Sequence, residues 1–335
     1  MSVAVIGSSV SEETVEIIGA WREFGIDVAL ISPADAYVVL RPGDVAVVRL
    51  DVLPTVDGVQ EGLLAVFLLE RRGVRVLNSA AAVLAAHDKL RTARLLAKAG
   101  VPHPATVHVS VPGDVDLRLP VVIKPRYGSW GTDVALCRSR AELRLRFDEL
   151  RERPWFRRHG ALVQEAVPSL GHDLRVIVAG GCVVGAAERV AAAGEWRTNV
   201  SCGGSLRPAV LSAAAEETAR AAVSAIGADF VGVDLMPQED GRFVVLELNA
   251  AVDFSDVYSF RDGNVYAAAA SALGLLPTGG VLHPVVRSVP SGQVAAAEHR
   301  QGNRSEHRRD DDERHGVVEC QPMPERISSG VVVEG

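Results

Sequence analysis

Apolar residues recur along this chain in two periods. Val3–Ile6 is a short unbroken apolar run cut off by Gly7-Ser8-Ser9, the pattern of a strand buried on both faces. Ser11, with Glu13 and Thr14 behind it, opens a helix that the spacing carries to Phe24, where Gly25 stops it. Val28–Ile31 and Asp44–Arg49 repeat the strand pattern, Leu63–Arg72 has helical spacing, and Val74–Leu77 reads as a fourth strand. Strands alternating with helices predict a parallel, layered α/β sheet over residues 1–85. Ala86–Ala99 then reads as one helix closing at Gly100, before Val101-Pro102-His103-Pro104.

From Pro120 the character changes. Strand-like runs fall at Val121–Lys124, Leu162–Glu165, Arg175–Ala179, Val183–Glu188, Val231–Leu235 and Phe243–Leu248, joined by turns and two helices. That pattern predicts an α+β region with antiparallel sheets over 86–280, divided into a central part at about 100–165 and a C-terminal part at about 166–280. Residues 298–316 are highly charged and almost devoid of apolar side chains, so 285–335 is expected to be a disordered tail.

The chain has 335 residues, 48% of them hydrophobic, enough for several packed cores, whereas aromatics are only 5%. A formal net charge of −7 argues against nucleic-acid binding that rests on neutralising phosphates. Cys137, Cys182, Cys202 and Cys320 form no C-x-x-C pair, which favours reduced thiols in a cytoplasmic protein. Met1–Gly7 lacks a basic leader, and no apolar run approaches the roughly 18 residues of a membrane span.

The most informative stretch is a hairpin. Val231–Leu235 and Phe243–Asn249 flank Gln238-Glu239-Asp240-Gly241, and Asp-Gly between apolar runs is a strong turn signal. A turn centred between Asp240 and Gly241 sets Asp234 opposite Glu247, with Asn249 on the same face two residues on. Facing carboxylates repel unless something offsets them. Asp234, Glu247 and Asn249 offer oxygen ligands, suited to Mg²⁺ or Mn²⁺ with phosphate oxygens completing the shell. Taken alone, the same residues also fit a solvated polar strand face; the rest of the chain favours the metal.

Two lysines supply candidate phosphate grips. Val121-Val122-Ile123-Lys124-Pro125 ends a buried strand in a lysine, followed by Gly128-Ser129-Trp130-Gly131-Thr132, whose backbone N–H groups can turn toward phosphate oxygens. Lys89 stands in Ala86-His87-Asp88-Lys89, where a solvated helix lysine is the plainer reading. Neither a G-x-x-x-x-G-K-[ST] loop nor a G-x-G-x-x-G fingerprint is present, which counts against a P-loop and against a dinucleotide-binding dehydrogenase.

In order along residues 1 to about 275, several motifs together resemble ATP-grasp ligases of the RimK/LysX type. The opening is Asp88-Lys89-Leu90-Arg91-Thr92 with Leu95-Leu96-Ala97-Lys98-Ala99-Gly100-Val101-Pro102. Ile123-Lys124-Pro125, Gly128-Ser129-Trp130-Gly131, Val163-Gln164-Glu165 and Asp173-Leu174-Arg175-Val176 follow. The series closes with Trp196-Arg197-Thr198-Asn199, Gly203-Gly204, Gly232-Val233-Asp234 and Glu247-Leu248-Asn249 through Asp253-Phe254. The resemblance implies an ATP-grasp fold behind an N-terminal parallel-sheet (pre-ATP-grasp) domain, ATP and two Mg²⁺ ions as cofactors, and an assembly of several copies. By the same resemblance, Lys89 and Lys124 hold ATP phosphates under Gly128–Gly131, Glu165 and the Val167 backbone meet adenine, and Asp173 holds the ribose. Asp234, Glu247 and Asn249 bind the metals, Arg197 and Asn199 stand by the γ-phosphate and acyl group, and Arg175 and Arg189 clamp a substrate carboxylate. Cys202 stands where relatives carry a basic residue, which bears on the substrate accepted; with no His nearby to activate it, it reads as a packing residue.

The expected reaction activates a carboxylate as an acyl phosphate and joins it to an amino-acid amine, releasing ADP and phosphate. The carboxylate belongs to a small molecule or to the C-terminus of a carrier protein or peptide. The alternative is a nucleotide-binding regulatory protein that has the fold without the turnover, suggested by Cys202 and the Asn249-Ala250-Ala251 loop.

Overall fold

In the computed structural model, β1 (Val3–Ile6) is buried at all four positions, which is why its run is unbroken. The structure describes residues 2–276 apart from 8–10, 112, 114 and 262; the expected tail at 285–335 lies outside the described residues. Ser11 caps α1 (Glu12–Glu23) by accepting from Thr14 N–H. β2 (Val28–Ile31), α2 (Pro33–Val39), β3 (Val45–Val48), α3 (Leu63–Arg72) and β4 (Arg75–Leu77) complete a parallel sheet in the order β2-β1-β3-β4. Helix α2 was not expected: Ser32 caps it and Pro33 opens it, but its Val38 and Val39 are exposed and give no amphipathic stripe.

The single helix expected over 86–99 is two helices, α4 (Ala80–His87) and α5 (Lys89–Ala99). Asp88, at φ −84° and ψ 92°, ends the first and caps the second by accepting from Leu90 and Arg91 N–H. Next come β5 (Thr106–Val109), β6 (Val121–Pro125), β7 (Ala135–Cys137), α6 (Arg140–Leu150), α7 (Pro154–His159) and β8 (Ala161–Glu165). Their sheet is antiparallel, β5-β8-β6-β7, and Phe147, Leu150, Trp155 and Phe156 pack the two helices against it.

The last sheet is built from β9 (His172–Ala179), β10 (Cys182–Val190) and β11 (Ser205–Pro208), then, after α8 (Ala213–Ile226), from β12 (Phe230–Pro237) and β13 (Phe243–Asn249). Its order is β11-β10-β9-β12-β13, all antiparallel, and α9 (Val265–Ala272) follows it. The α8 face formed by Ala215, Ala219, Ala222 and Val223 packs on Val176, Val231 and Val233. Three helices rather than two separate Pro120 from the hairpin: α6 is so rich in arginine and acidic residues that its apolar spacing is thin, and α7 is only six residues long. β5, β7 and β11 were not expected either, being three or four residues long and mostly half-exposed or exposed. Among the described residues no helix is long and apolar enough to cross a membrane.

Two buried contacts tie the elements around the first sheet to those around the last. Trp21 Nε1 donates to Tyr266 O at 3.1 Å. Asn78, fully buried, accepts from Asp229 and Phe230 N–H at 2.7 and 2.8 Å and donates to Phe230 O at 2.7 Å. Asn78→Ala orphans three backbone groups at once and is expected to destabilise the fold by about 3 kcal/mol in urea unfolding. A cost under about 1 kcal/mol would mean that water replaces the amide there.

Candidate active site

Between the second and third sheets lies a cavity of about 480 Å³. Its floor is the β12–β13 pair. Asp234 faces Glu247 and Gly232 faces Asn249, the expected pairing, but the route to it differs. Pro237 pairs with Phe243, Met236 with Val244 and Leu235 with Val245, so the turn is centred on Asp240. A β-bulge at Leu246 then restores the register. Without that extra residue Asp234 would face Leu246, and Glu247 would point into the core with Val233. With it, Val245 and Leu248 are buried in the core while Glu247 lines the cavity.

Asp234 is 4% exposed and heavily engaged. Arg175 grips it with two bonds, Nε–Oδ1 at 2.6 Å and Nη2–Oδ2 at 2.9 Å, and Arg189 Nη2 reaches Oδ2 at 2.8 Å. Arg189 also forks onto Asp173, whose Oδ2 takes the Thr198 hydroxyl at 2.7 Å. Burial alone would raise the Asp234 pKa, but the adjacent guanidinium groups of Arg175 and Arg189 outweigh it and hold it at about 2. Gly232 makes room for this arrangement: a Cβ there would sit 2.5 Å from Val252 Cγ2 and 3.1 Å from Arg175 Cδ. Both arginines are thus committed to carboxylates of this chain, and a substrate carboxylate would have to compete with Asp234 for them. Arg189 lines the cavity; Arg175 and Asn249 do not.

The wall opposite carries the two lysines. Lys89 opens α5, donates from Nζ to Gly128 O, and lies 3.4 Å from Glu247 Oε2. Lys124, on β6, is 9% exposed and has no ion pair among the described residues. Burial lowers its pKa to about 8, with Glu247 and Asp234 pulling the other way and Lys89 adding to the fall. Glu247 is raised by burial but lowered further by Lys89 and Lys124, so its net shift is downward. The loop over these groups turns through left-handed backbone at Trp130 (φ 60°), Gly131 (φ 74°) and Asp133 (φ 56°). It rests on the 199–202 turn: the Ser201 hydroxyl donates to Trp130 O at 3.2 Å, and a Cβ on Gly131 would lie 3.8 Å from Cys202 Sγ and 3.9 Å from both Arg197 Cδ and Asn199 Oδ1. Cys202 therefore packs under the loop.

Toward the other end the walls turn apolar, with Pro104, Val122, Leu136, Met236 and Leu246 beside Glu165 and Val167. The Glu165 carboxylate is held by Arg118 through Nη2 and the backbone N–H, both at 3.1 Å. Asp173 lines the cavity yet is 1% exposed, its oxygens taken by Arg189 and Thr198. Arg197 pairs with Glu195 at 2.8 Å, and that guanidinium's hydrogen bond lowers the Glu195 pKa to about 2 despite opposing burial. Sequence reading missed Arg118, Thr198, Glu195 and Asp88. Asp88 carried a local signal, an Asp just before a helical stretch, and Glu195 pairs with Arg197 only two residues on; Arg118 and Thr198 acquire their partners by folding.

For a divalent cation the donor set is hard oxygen from Asp234 and Glu247, with the Asn249 amide beside Glu247 (Nδ2–Oε1 3.4 Å). Among the described residues no three His, Cys, Asp or Glu side chains converge as a metal cluster. The oxygen donors fit Mg²⁺, which keeps few protein carboxylates and completes its octahedron with substrate phosphates and water.

Residues 86–268 match the RimK-like ATP-grasp domain. A probable alpha-L-glutamate ligase of Thioalkalivibrio sulfidiphilus is 38% identical over 189 residues, covering 54% of this chain; the chain spans 61% of that relative's length. The glutamate–LysW ligase ArgX of Sulfolobus acidocaldarius is 29% identical over 266 residues, covering 76% of this chain and 91% of its own. Among solved structures, a RimK domain ATP-grasp protein from Sphaerobacter thermophilus superposes with a TM-score of 0.59 at 22% identity, covering 82% of this chain and 99% of that one. That last likeness shows the fold.

Proposed function

This chain belongs to the RimK-like ATP-grasp family and has the ATP-grasp fold, and from that premise we propose that it is an ATP- and Mg²⁺-dependent ligase joining a carboxylate to the amine of an amino acid. One observation carries the reading. Two facing carboxylates, Asp234 and Glu247, form the floor of a cavity whose wall brings Lys89 and Lys124 together from different elements. Cations on one side and oxygen ligands on the other are what a triphosphate with its metal requires.

In this reading residues 1–85 serve as the pre-ATP-grasp domain and 86–280 as the nucleotide-binding unit. The apolar end beside Glu165 and Val167 takes the base, and the Asp173 region takes the ribose. Lys89 and Lys124 grip phosphate oxygens, and Gly128, Ser129, Trp130 and Gly131 cover them and exclude water. Asp234, Glu247 and Asn249 would hold Mg²⁺, which when bound supplies positive charge to the phosphate oxygens. Arg197 and Asn199, under the loop, stand where the γ-phosphate and acyl group meet. The substrate carboxylate attacks the γ-phosphorus, ADP leaves, and an acyl phosphate remains. The amine then attacks the acyl carbon, expelling phosphate and losing a proton as the amide forms. Arg189 keeps Asp173 and Asp234 at a fixed separation, and Arg175 balances Asp234 when no metal does.

The names of the relatives put glutamate first among amines to try, with small carboxylates and acidic carrier or peptide C-termini as acceptors. The test incubates the protein with ATP, Mg²⁺ and pairs from that panel, following nucleotide products and amides by mass spectrometry. ADP and phosphate appearing only with one pair, together with its amide, is the expected result. AMP and pyrophosphate would exclude the acyl-phosphate route, and ATP binding without turnover on any pair would favour the regulatory alternative.

A further inference from the structure

Asp88 takes no part in the phosphate contacts above, yet it is 3% exposed and both of its oxygens are engaged. Oδ1 accepts from Leu90 N–H at 3.2 Å and Arg91 N–H at 3.3 Å, capping α5, and also from Arg126 Nε at 2.7 Å. Oδ2 takes Arg126 Nη2 and, at 3.3 Å, the Tyr127 hydroxyl. A helix cap needs one oxygen. Here the second oxygen completes a planar fork with a guanidinium 38 residues away, a geometry that fixes direction as well as distance.

What the fork holds is the stretch between Lys124 and Gly128. Two further bonds run alongside it: Lys89 N–H donates to Arg126 O at 3.1 Å, and Lys89 Nζ donates to Gly128 O. Had the helix continued through residue 88, as its apolar spacing allows, Lys89 N–H would have bonded within the helix instead of to Arg126 O. The break at Asp88 and the grip on Arg126 thus place Lys89 against the loop root.

We infer that Asp88 and Arg126 are a positioning pair that sets Lys89, Lys124 and the root of the 128–131 loop in fixed relation for nucleotide phosphates. Neither side chain is placed on the nucleotide; both act through Lys89 and Gly128. The inference rests on the nucleotide reading of the cavity, so its test includes a measurement made without nucleotide.

Asp88→Ser keeps a capping oxygen but cannot reach Arg126, and Arg126→Gln removes the fork while leaving the cap. Calorimetry would give the Kd of a non-hydrolysable ATP analogue with Mg²⁺, and amide hydrogen exchange would follow residues 126–132 in nucleotide-free protein. Each single variant is expected to raise Kd about tenfold and to speed exchange at 126–132. The double variant should be no worse than the worse single, because both cut one link. Arg126→Lys, which keeps the charge and loses the fork, should recover only part of the affinity. If Asp88→Ser melts far below the parent, Arg126→Gln alone decides, since it leaves the helix cap intact. Parental exchange and Kd in Arg126→Gln, or losses that multiply in the double variant, would overturn the pair. A parent protein that binds no ATP while its variants still exchange faster at 126–132 would sink the nucleotide reading and leave the tether standing.

Discussion

Asp234→Ala is expected to lower ligase turnover by about 10³-fold or more at saturating ATP and Mg²⁺, because it removes half of the oxygen floor under the phosphates. The same change should also destabilise the protein by about 3 kcal/mol, since Arg175 would be left buried without its carboxylate and Arg189 would keep only Asp173. Asp234→Asn separates the two effects: it retains an acceptor for the arginines, so it should unfold closer to the parent while remaining inactive. ADP release and urea midpoints on both variants are the measurements. Turnover within about tenfold of the parent in Asp234→Asn would remove this residue from the metal site. The pH dependence follows from the same contacts. The folded pKa of about 2 lies below the ordinary 3.8, so the stability this carboxylate contributes is present above pH 3.8 and is lost as pH falls toward 2.

Lys124→Met is expected to move activity and stability in opposite directions. ATP affinity should fall about 10²-fold with the loss of a cation inside a water-poor cavity. The fold should gain on the order of 1 kcal/mol, because an amine buried without an ion pair is replaced by an apolar chain of similar length. The sign is fixed by its pKa of about 8, below the ordinary 10.5. The unfolded chain binds this proton more tightly, so the charged lysine opposes folding most below pH 8, and that cost fades as pH rises toward 10.5. In the parent, ATP affinity should weaken as pH rises above about 8 and the ammonium is lost, and Lys124→Met should lack that dependence. Titrations of an ATP analogue across pH 7 to about 9.5, with thermal melts of both proteins, would check each part. A variant that is both less stable and unchanged in ATP affinity would make Lys124 a structural residue.

Much of this protein was legible from residues and their near neighbours. The runs at Val3–Ile6 and Asp44–Arg49 announced strands, and the structure makes β1 and β3 (Val45–Val48), each buried at every position, the central pair of the parallel sheet. The Asp-Gly turn between apolar runs announced the hairpin, and Asp234 and Glu247 do face each other. That pairing came from a turn placed half a residue off and a bulge at Leu246 that no alternation reveals, the two departures offsetting one another. The family, too, was readable, because its motifs succeed one another in chain order.

Tertiary structure alone decided the rest. Apolar spacing ran a single helix through Asp88; its cap on α5 is local, but the fork from Arg126 that holds its carboxylate comes from 38 positions on. Arg175 and Arg189 looked like substrate clamps, and Arg175 meets Asp234 across 59 positions of chain. Periodicity and turn chemistry act over a few residues and are written locally. A buried charge instead takes whichever partner the fold delivers, because leaving it unpaired away from water costs more than almost any local preference can return.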